Sequence, residues 1–311
     1  MSSLAIVVPC YNEEQVLPET ARRLSELLQG LVDAGKVSND SRIYFVDDGS
    51  RDQTWPLIEQ LVLANPLIKG IKLSRNRGHQ NALLCGLMNA AGDVVISMDA
   101  DLQDDLDAIE KMLDAHSQGF DVVYGVRSRR DTDTFLKRFS AHAYYKLLQI
   151  MGVDVVFDHA DYRLLSRRAI EALSEYGESN LFLRGIIPTL GFNSTKVYYE
   201  RGERFAGESK YPLRKMLALA IEGITSFSPL PLRLIAALGI LVTIISAFLG
   251  LWTVAVRLFT DTAVPGWAST VVPVYFLGGL QLLGIGVIGE YLAKVYMEVK
   301  RRPRYIIEKS I

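Results

Sequence analysis

Three segments of this chain run out of an apolar stretch into acidic and polar residues: VVPCYNEE at 7–14, FVDDGSRDQT at 45–54 and ISMDADLQDD at 96–105. One such ending reads most simply as a solvated turn or a helix cap, and Asp52 suits an N-cap before a helix containing Trp55. Three of them place several carboxylates along one edge of a sheet. In the third, Asp99, Asp101 and Gln103 alternate along an extended segment and present hard oxygen donors. That set suits Mg²⁺ or Mn²⁺ bridging a diphosphate, because a carboxylate-rich pocket repels phosphate unless a cation intervenes. Asp104, Asp105 and Asp107 read instead as the acidic first turn of the next helix, favoured by its dipole.

Positive charge gathers elsewhere. GVRSRRDTDTFLKR, at 125–138, carries Arg127, Arg129, Arg130, Lys137 and Arg138, a cationic seat for a phosphate held at a bilayer surface. FDHADYRLLSRR supplies Asp158 and Asp161 as candidate bases, with His159 as a local hydrogen-bond partner. His79, in SRNRGHQNA, reads as a structural residue in the turn entering a helix.

These residues need elements to hold them. LAIVVP, RIYFVDD, IKGIKLS, DVVISMD and DVVYGV read as strands, and the stretches around 15–30, 52–64, 79–91 and 106–117 as helices. Such alternation predicts an α/β fold with a mostly parallel sheet and chemistry at the C-terminal strand ends. No GxGxxG and no GxxxxGK[ST] occurs, which removes support for a dinucleotide fold of that kind or a P-loop. The formal net charge of −1 gives no reason to expect nucleic acid. Cys10 and Cys85 lack metal-ligand spacing and read as packed, reduced thiols. MSSLAIVVP lacks a basic n-region, so no cleaved signal is expected and the catalytic part is placed in the cytosol.

Composition changes near residue 230. Leu234 to Val256 contains no charge, and neither does Thr262 to Gly289. Each is long enough to cross a hydrocarbon core about 30 Å thick. Arg201, Arg204, Lys210, Arg214, Lys215 and Arg233 precede the first stretch, and Lys294, Lys300, Arg301, Arg302 and Arg304 follow the second, which puts both ends in the cytoplasm. Between soluble part and membrane, YPLRKMLALAIEGITSFSPLPLR suits a helix lying in the interface. Gly278, Gly279, Gly284, Gly286 and Gly289 would permit close helix packing and homo-oligomers.

VVPCYNEE, VDDGS, the DAD of MDADLQ and RFAGESKY at 204–211 resemble the signatures of family 2 glycosyltransferases with a GT-A fold. More narrowly, the order of parts is similar to that of polyisoprenyl-phosphate glycosyltransferases. Bacterial bactoprenol glucosyltransferases of O-antigen (lipopolysaccharide) modification match best, and dolichyl-phosphate mannose synthases are more distant. The QxxRW motif of processive synthases has no counterpart, since Trp occurs only at 55, 252 and 267.

The resemblance implies a Rossmann-like GT-A domain over 1–210, an interfacial helix over 211–232, and a region over 233–311 with spans at about 234–256 and 270–292. It implies that Pro9, Tyr11 and Glu13 line the nucleotide pocket and that Asp48 hydrogen-bonds the uracil. Asp99 would face the sugar nucleotide, with Asp101 and Gln103 on Mg²⁺ or Mn²⁺. Arg204 and Lys210 would add positive charge over donor or acceptor, alongside Arg127, Arg129 and Lys137 at the acceptor phosphate. Asp158 best matches an aspartate that relatives keep near the reacting groups. The implied reaction is an inverting, metal-dependent transfer of a hexose, glucose first, from UDP-hexose to undecaprenyl phosphate on the cytoplasmic face of a bacterial inner membrane. Other donors, GDP-mannose or a UDP-modified arabinose, stay open, as does a non-catalytic nucleotide-sugar-binding scaffold.

Overall fold

The computed structural model describes residues 1–128, 159–178, 181–200, 230–259 and 267–311. The five expected strands are present as β1 (Leu4–Cys10), β2 (Arg42–Asp47), β3 (Ile68–Leu73), β4 (Val94–Ser97) and β5 (Val122–Arg127). The four expected helices between them are α1 (Leu17–Asp33), α2 (Thr54–Ala64), α3 (His79–Asn89) and α4 (Asp107–Ser117). The chain continues through β6 (His159–Ser166), α5 (Arg167–Ser174), α6 (Leu183–Thr189), β7 (Ser194–Tyr199), α7 (Leu230–Phe259), α8 (Trp267–Lys300) and β8 (Ile307–Ser310).

All eight strands form one sheet in the order β7-β5-β6-β4-β1-β2-β3-β8. The pairs β1/β2, β1/β4, β2/β3 and β5/β7 are parallel, while β6 runs antiparallel to both β4 and β5. Strands β1 to β3 step outward one way, and the chain then crosses back to place β4 on the other side of β1. That reversal opens a crevice beyond the carboxyl ends of β1 and β4, where ligands of open α/β sheets bind.

Apolar alternation decides the layers. Leu4, Ile6 and Val8 point toward α1, α2 and α4, whereas Ala5 and Val7 point toward α3, α5 and α6. Helix α1 starts with a proline in its first turn and buries Leu17, Leu24 and Leu28 completely, each contributing about 1.5–3 kcal/mol. Helix α3 lies so close to β1 that a Cβ on Gly86 would sit 2.2 Å from Val7 Cγ1.

The end of the chain returns to the sheet. Strand β8 pairs antiparallel with the edge of β3, and Gly70 and Ile311 exchange backbone hydrogen bonds of 3.0 and 2.9 Å. A side chain on Gly70 would come within 3.0 Å of Ile311 Cγ1 and 2.6 Å of Ile58 Cγ2, so only a bare backbone admits the tail here. Nothing in the basic C-terminal residues pointed to this strand.

Two spans were expected in the C-terminal region, and both segments are helical. Among the described residues one stretch, Phe276–Lys300, is long and apolar enough to cross a membrane, with mean hydropathy 1.5. It overlaps the expected 270–292 and extends beyond it to Lys300. In α7 a shorter apolar stretch, Pro231–Val242, is found among the described residues. A Cβ added to Gly284 would lie 3.4 Å from Ile235 Cγ2, whereas one added to Gly278, Gly279, Gly286 or Gly289 would meet nothing within 4 Å among the described residues. The expected interfacial helix over 211–232 lies almost wholly outside the described residues.

Removing residues 307–311 strips β3 of its outer partner. Hydrogen exchange at the Gly70 amide is then expected to accelerate at least about tenfold, with Ile96 in β4 unchanged. Equal protection of Gly70 in the shortened chain would show that β8 does not hold this edge.

Candidate active site

The loops after β1, β2 and β3 are joined by hydrogen bonds before any ligand is considered. Asn12 N–H donates to Ser50 Oγ (3.0 Å), Arg51 N–H to Asn12 Oδ1 (2.9 Å) and Glu13 N–H to Thr54 Oγ1 (2.8 Å). Asp52, expected as an N-cap, accepts from Thr54 N–H (3.0 Å) and reaches across to Glu14 N–H (3.2 Å). Asp48 is 2% exposed, and its two oxygens accept the backbone N–H groups of Arg77 (2.7 Å) and Gly78 (2.9 Å). Burial raises its pKa, partly offset by those two bonds. Gly49, at φ +67°, lets the loop after β2 touch the loop before α3: a Cβ there would lie 2.6 Å from Asn76 N. Pro9 is buried at the end of β1, and Tyr11 just beyond it is 41% exposed, an uncovered ring beside Asp48's loop.

The second half of the site forms where β6 enters the sheet. An antiparallel strand begins where its parallel neighbours end, so Asp161 stands at the same edge as Asp99. Asp161 accepts a bidentate pair from Arg184 Nε and Nη2 (both 3.2 Å), a bond from Arg163, and one from Gln80 Nε2 (3.4 Å). His79 Nε2 lies 3.4 Å from Asp161 Oδ2 and 3.7 Å from Asp99 Oδ1. Burial alone would raise the Asp161 pKa, but Arg184, the His79 contact and Arg163 together hold it well below the usual carboxylate range. Asp99 goes the other way: burial and the charges of Asp161 and Asp101 raise it, despite His79. Burial lowers His79, yet the Asp161 contact and the Asp99 charge leave its pKa raised. The expectation that His79 is merely structural is thereby corrected, since its ring bridges two site carboxylates. Arg163 and Arg184 carried no signal in the sequence, and Arg163 is completely buried.

Beyond β4 the chain turns at Leu102, whose φ is +55°, and Gln103 N–H donates to Asp101 Oδ1 (3.3 Å). Asp105 Oδ1 accepts from Asp107 N–H (3.0 Å) at the start of α4, as expected for a helix-start residue. Asp104 does not share that role. It is 4% exposed, its Oδ1 accepts the Tyr199 hydroxyl at 2.5 Å, and Arg127 Nη2 lies 3.7 Å away. Burial and the Asp99 charge push its pKa up to about 6. Arg127 Nε in turn donates to Tyr199 Oη (3.3 Å), so the first residue of the basic loop stands next to the acidic one. Asp158, Arg129, Arg130, Lys137, Arg138, Arg204 and Lys210 lie outside the described residues.

Asp99, Asp101 and Gln103 follow one another along the segment after β4, and each carries a side-chain oxygen. Among the described residues no group of three or more His, Cys, Asp or Glu is placed to hold an ion alone. Two carboxylates and an amide fit Mg²⁺ or Mn²⁺ shared with a bound diphosphate, because such ions complete their shell with phosphate oxygens and water.

The Glycosyl transferase family 2 model matches residues 5–174. The uncharacterized glycosyltransferase YkoT of Bacillus subtilis is 49% identical over 98% of this chain and 91% of that protein. The bactoprenol glucosyl transferase of Shigella phage SfII is 40% identical over 99% of this chain and 98% of its own length. A solved mannosyl-3-phosphoglycerate synthase from Rubrobacter xylanophilus superposes with TM-score 0.49 at 14% identity, covering 86% of this chain and 78% of that one.

Two outcomes follow for the buried acids. Asp161→Asn leaves the buried Arg163 without its counter-charge and is expected to cost about 3–5 kcal/mol in chemical unfolding. A raised histidine pKa means stability that is complete below the unfolded value and fades as pH rises through the folded one. The ring resonances of His79 should therefore titrate at lower pH in Asp161→Asn, and an unmoved titration would sink the assigned contact. Asp104 also has a raised pKa, so wild-type stability falls as pH rises from about 3.8 through about 6. Asp104→Asn should flatten that decline, and Asp105→Asn should not.

Proposed function

Because the chain belongs to the family 2 glycosyltransferases, we propose that it moves a hexose, glucose in the first instance, from UDP-hexose to undecaprenyl phosphate with inversion at the anomeric carbon. The observation that carries this reading is the meeting of an oxygen-donor turn, Asp99-Ala100-Asp101-Leu102-Gln103, with Arg127 across Asp104. One side suits a cation-bound diphosphate and the other an anionic acceptor. Likeness to a bactoprenol glucosyl transferase over nearly the whole of both chains supports the acceptor and the sugar.

In this reading Pro9, Tyr11, Glu13 and Asp48 surround the uracil, and Asp99 faces the sugar. Asp101 and Gln103 would hold Mg²⁺ or Mn²⁺, which when bound would supply positive charge to the departing diphosphate. Arg127, with Arg129, Lys137 and Lys210, seats the acceptor phosphate, and Arg204 covers the donor. An acceptor phosphate oxygen forms the new bond to the anomeric carbon as the bond to the diphosphate oxygen breaks, its electron pair leaving with UDP. A phosphomonoester is largely dianionic at neutral pH, so little proton abstraction is needed. Asp161, kept ionised by its cations, orients His79 and Arg184 rather than accepting a proton, and Asp158 positions the acceptor.

Return of the chain to β3 as β8 supports two membrane crossings. A chain that leaves a sheet and rejoins it must cross an even number of times, so a crossing by α8 needs a partner. Helix α7, with 30 residues, is about 45 Å long and can supply it. The catalytic domain and the tail then share the cytoplasmic face of a bacterial inner membrane.

Membranes holding the chain, given labelled UDP-glucose and undecaprenyl phosphate, should yield a labelled lipid that chelator abolishes and Mn²⁺ or Mg²⁺ restores. Asp101→Ala should lower that rate at least about a hundredfold. No labelled lipid from UDP-glucose, GDP-mannose or a UDP-pentose would overturn the enzymatic reading. Full cellular function of Asp101→Ala would favour a binding scaffold.

A further inference from the structure

The loop before α3 faces a second concentration of charge that the proposed transfer does not use. Arg75 and Arg77 from this loop, and Arg302 and Arg304 from just beyond α8, line a cavity of about 460 Å³ with Asn81 and Met297. Among the described residues no carboxylate lines it, although Arg302 and Arg304 also border a neighbouring cavity with Glu298, and the charge of Arg304 reaches Glu178. Four guanidinium groups around one cavity disfavour one another, and an anion between them relieves that repulsion.

Several bonds hold the walls in place. Asp48 takes the backbone N–H of Arg77, and Asn81 Nδ2 donates to Arg77 O at 2.8 Å. Arg304 donates to the carbonyl of Tyr176. Arg77 Nε and Asn81 Oδ1 are buried with no hydrogen-bond partner among the described residues. A buried guanidinium N–H without an acceptor is unfavourable, and an incoming oxyanion would supply one. The planar arginine fork matches phosphoryl oxygens in pairs.

Met297 belongs to the last turn of Phe276–Lys300, the apolar stretch able to cross a membrane. The cavity therefore stands at the level where hydrocarbon gives way to headgroups.

We propose that this cavity is a phosphoryl-binding site, filled at the membrane by the headgroup phosphate of an anionic phospholipid. The lipid as source rests on the membrane reading above; the phosphoryl chemistry does not. Occupancy would brace Arg77 and Asn81, and with them the loop that Asp48 clamps beside His79.

The full chain in detergent, examined by native mass spectrometry, provides the test. Phosphatidylglycerol should remain bound where phosphatidylcholine does not, and paired Arg75→Gln and Arg302→Gln should weaken its retention about thirtyfold. The charge-keeping pair Arg75→Lys and Arg302→Lys should retain most of the affinity, which separates lost charge from a lost fold. Displacement by inorganic phosphate, or binding of inorganic phosphate alone, supports the phosphoryl site and in the second case moves its source to free phosphate. Equal retention of both lipids without phosphate binding, full retention by the glutamine pair, or displacement by UDP would overturn it. Flotation of the wild-type chain with liposomes reports on the membrane reading separately, since a chain that fails to float can still bind phosphate.

Discussion

A carboxylate buried at the edge of a sheet has to be met by cations, and Asp161 is such a group. Its position follows from strand direction: β6 enters antiparallel between β4 and β5, so its first residues reach the edge where the parallel strands stop. Meeting its charge draws in Arg163 from its own strand, Arg184 from α6, and His79 and Gln80 from the first turn of α3. Three elements distant in sequence are thereby fixed to one another. The same contacts separate two neighbouring carboxylates in behaviour. Asp161 is held ionised while Asp99, which has the His79 contact but feels Arg184 only through space, is pushed upward by burial, and pairs whose environments diverge in this way are how a site divides roles between like groups.

A second constraint is topological. Strand β8 follows α8 by a few residues and pairs with β3, whose far end leads into the loop clamped by Asp48. The helix long and apolar enough to cross a membrane is therefore coupled to the loops at the carboxyl edge of the sheet by a short, hydrogen-bonded path. The Arg302–Arg304 segment that follows it is held as well, by the bond from Arg304 to the Tyr176 carbonyl.

The first half of the fold was legible because β1 to β5 are runs of apolar residues separated by helices with a clear stripe, and such periodicity survives without tertiary information. Strand β6 was not. HADYRLLS places Asp161 and Arg163 on one face, and charges at alternate positions read as loop until their burial against each other is known. The reading of residues 99 to 103 as oxygen donors rests on residue type and spacing, which are local. Asp104 was misjudged because what buries it, Tyr199 and Arg127, comes from β7 and β5. Nothing in the order of side chains distinguishes it from Asp105 beside it. Arg184 and His79 were missed for the same reason: their role is defined by a partner that lies far away in sequence.

Backbone conformation explains how neighbours with one chemistry acquire different roles. Among the described residues, two of the three non-glycine residues with positive φ, Asn12 and Leu102, lie on the loops after β1 and β4, which flank the crevice. Asparagine tolerates this region, and its side chain is used to bond the next loop; leucine gains nothing locally and bears a strain on the order of 1 kcal/mol. A strained turn persists only when the surroundings demand it. At Leu102 they do, for the reversal brings Gln103 back toward Asp101 and turns Asp104 inward to Tyr199, leaving Asp105 to start α4. A relaxed turn there would carry Asp104 toward solvent with Asp105 and separate Gln103 from Asp101. The strain at Leu102 is thus what converts a row of acidic residues into a donor turn on one side and a buried link to Arg127 on the other.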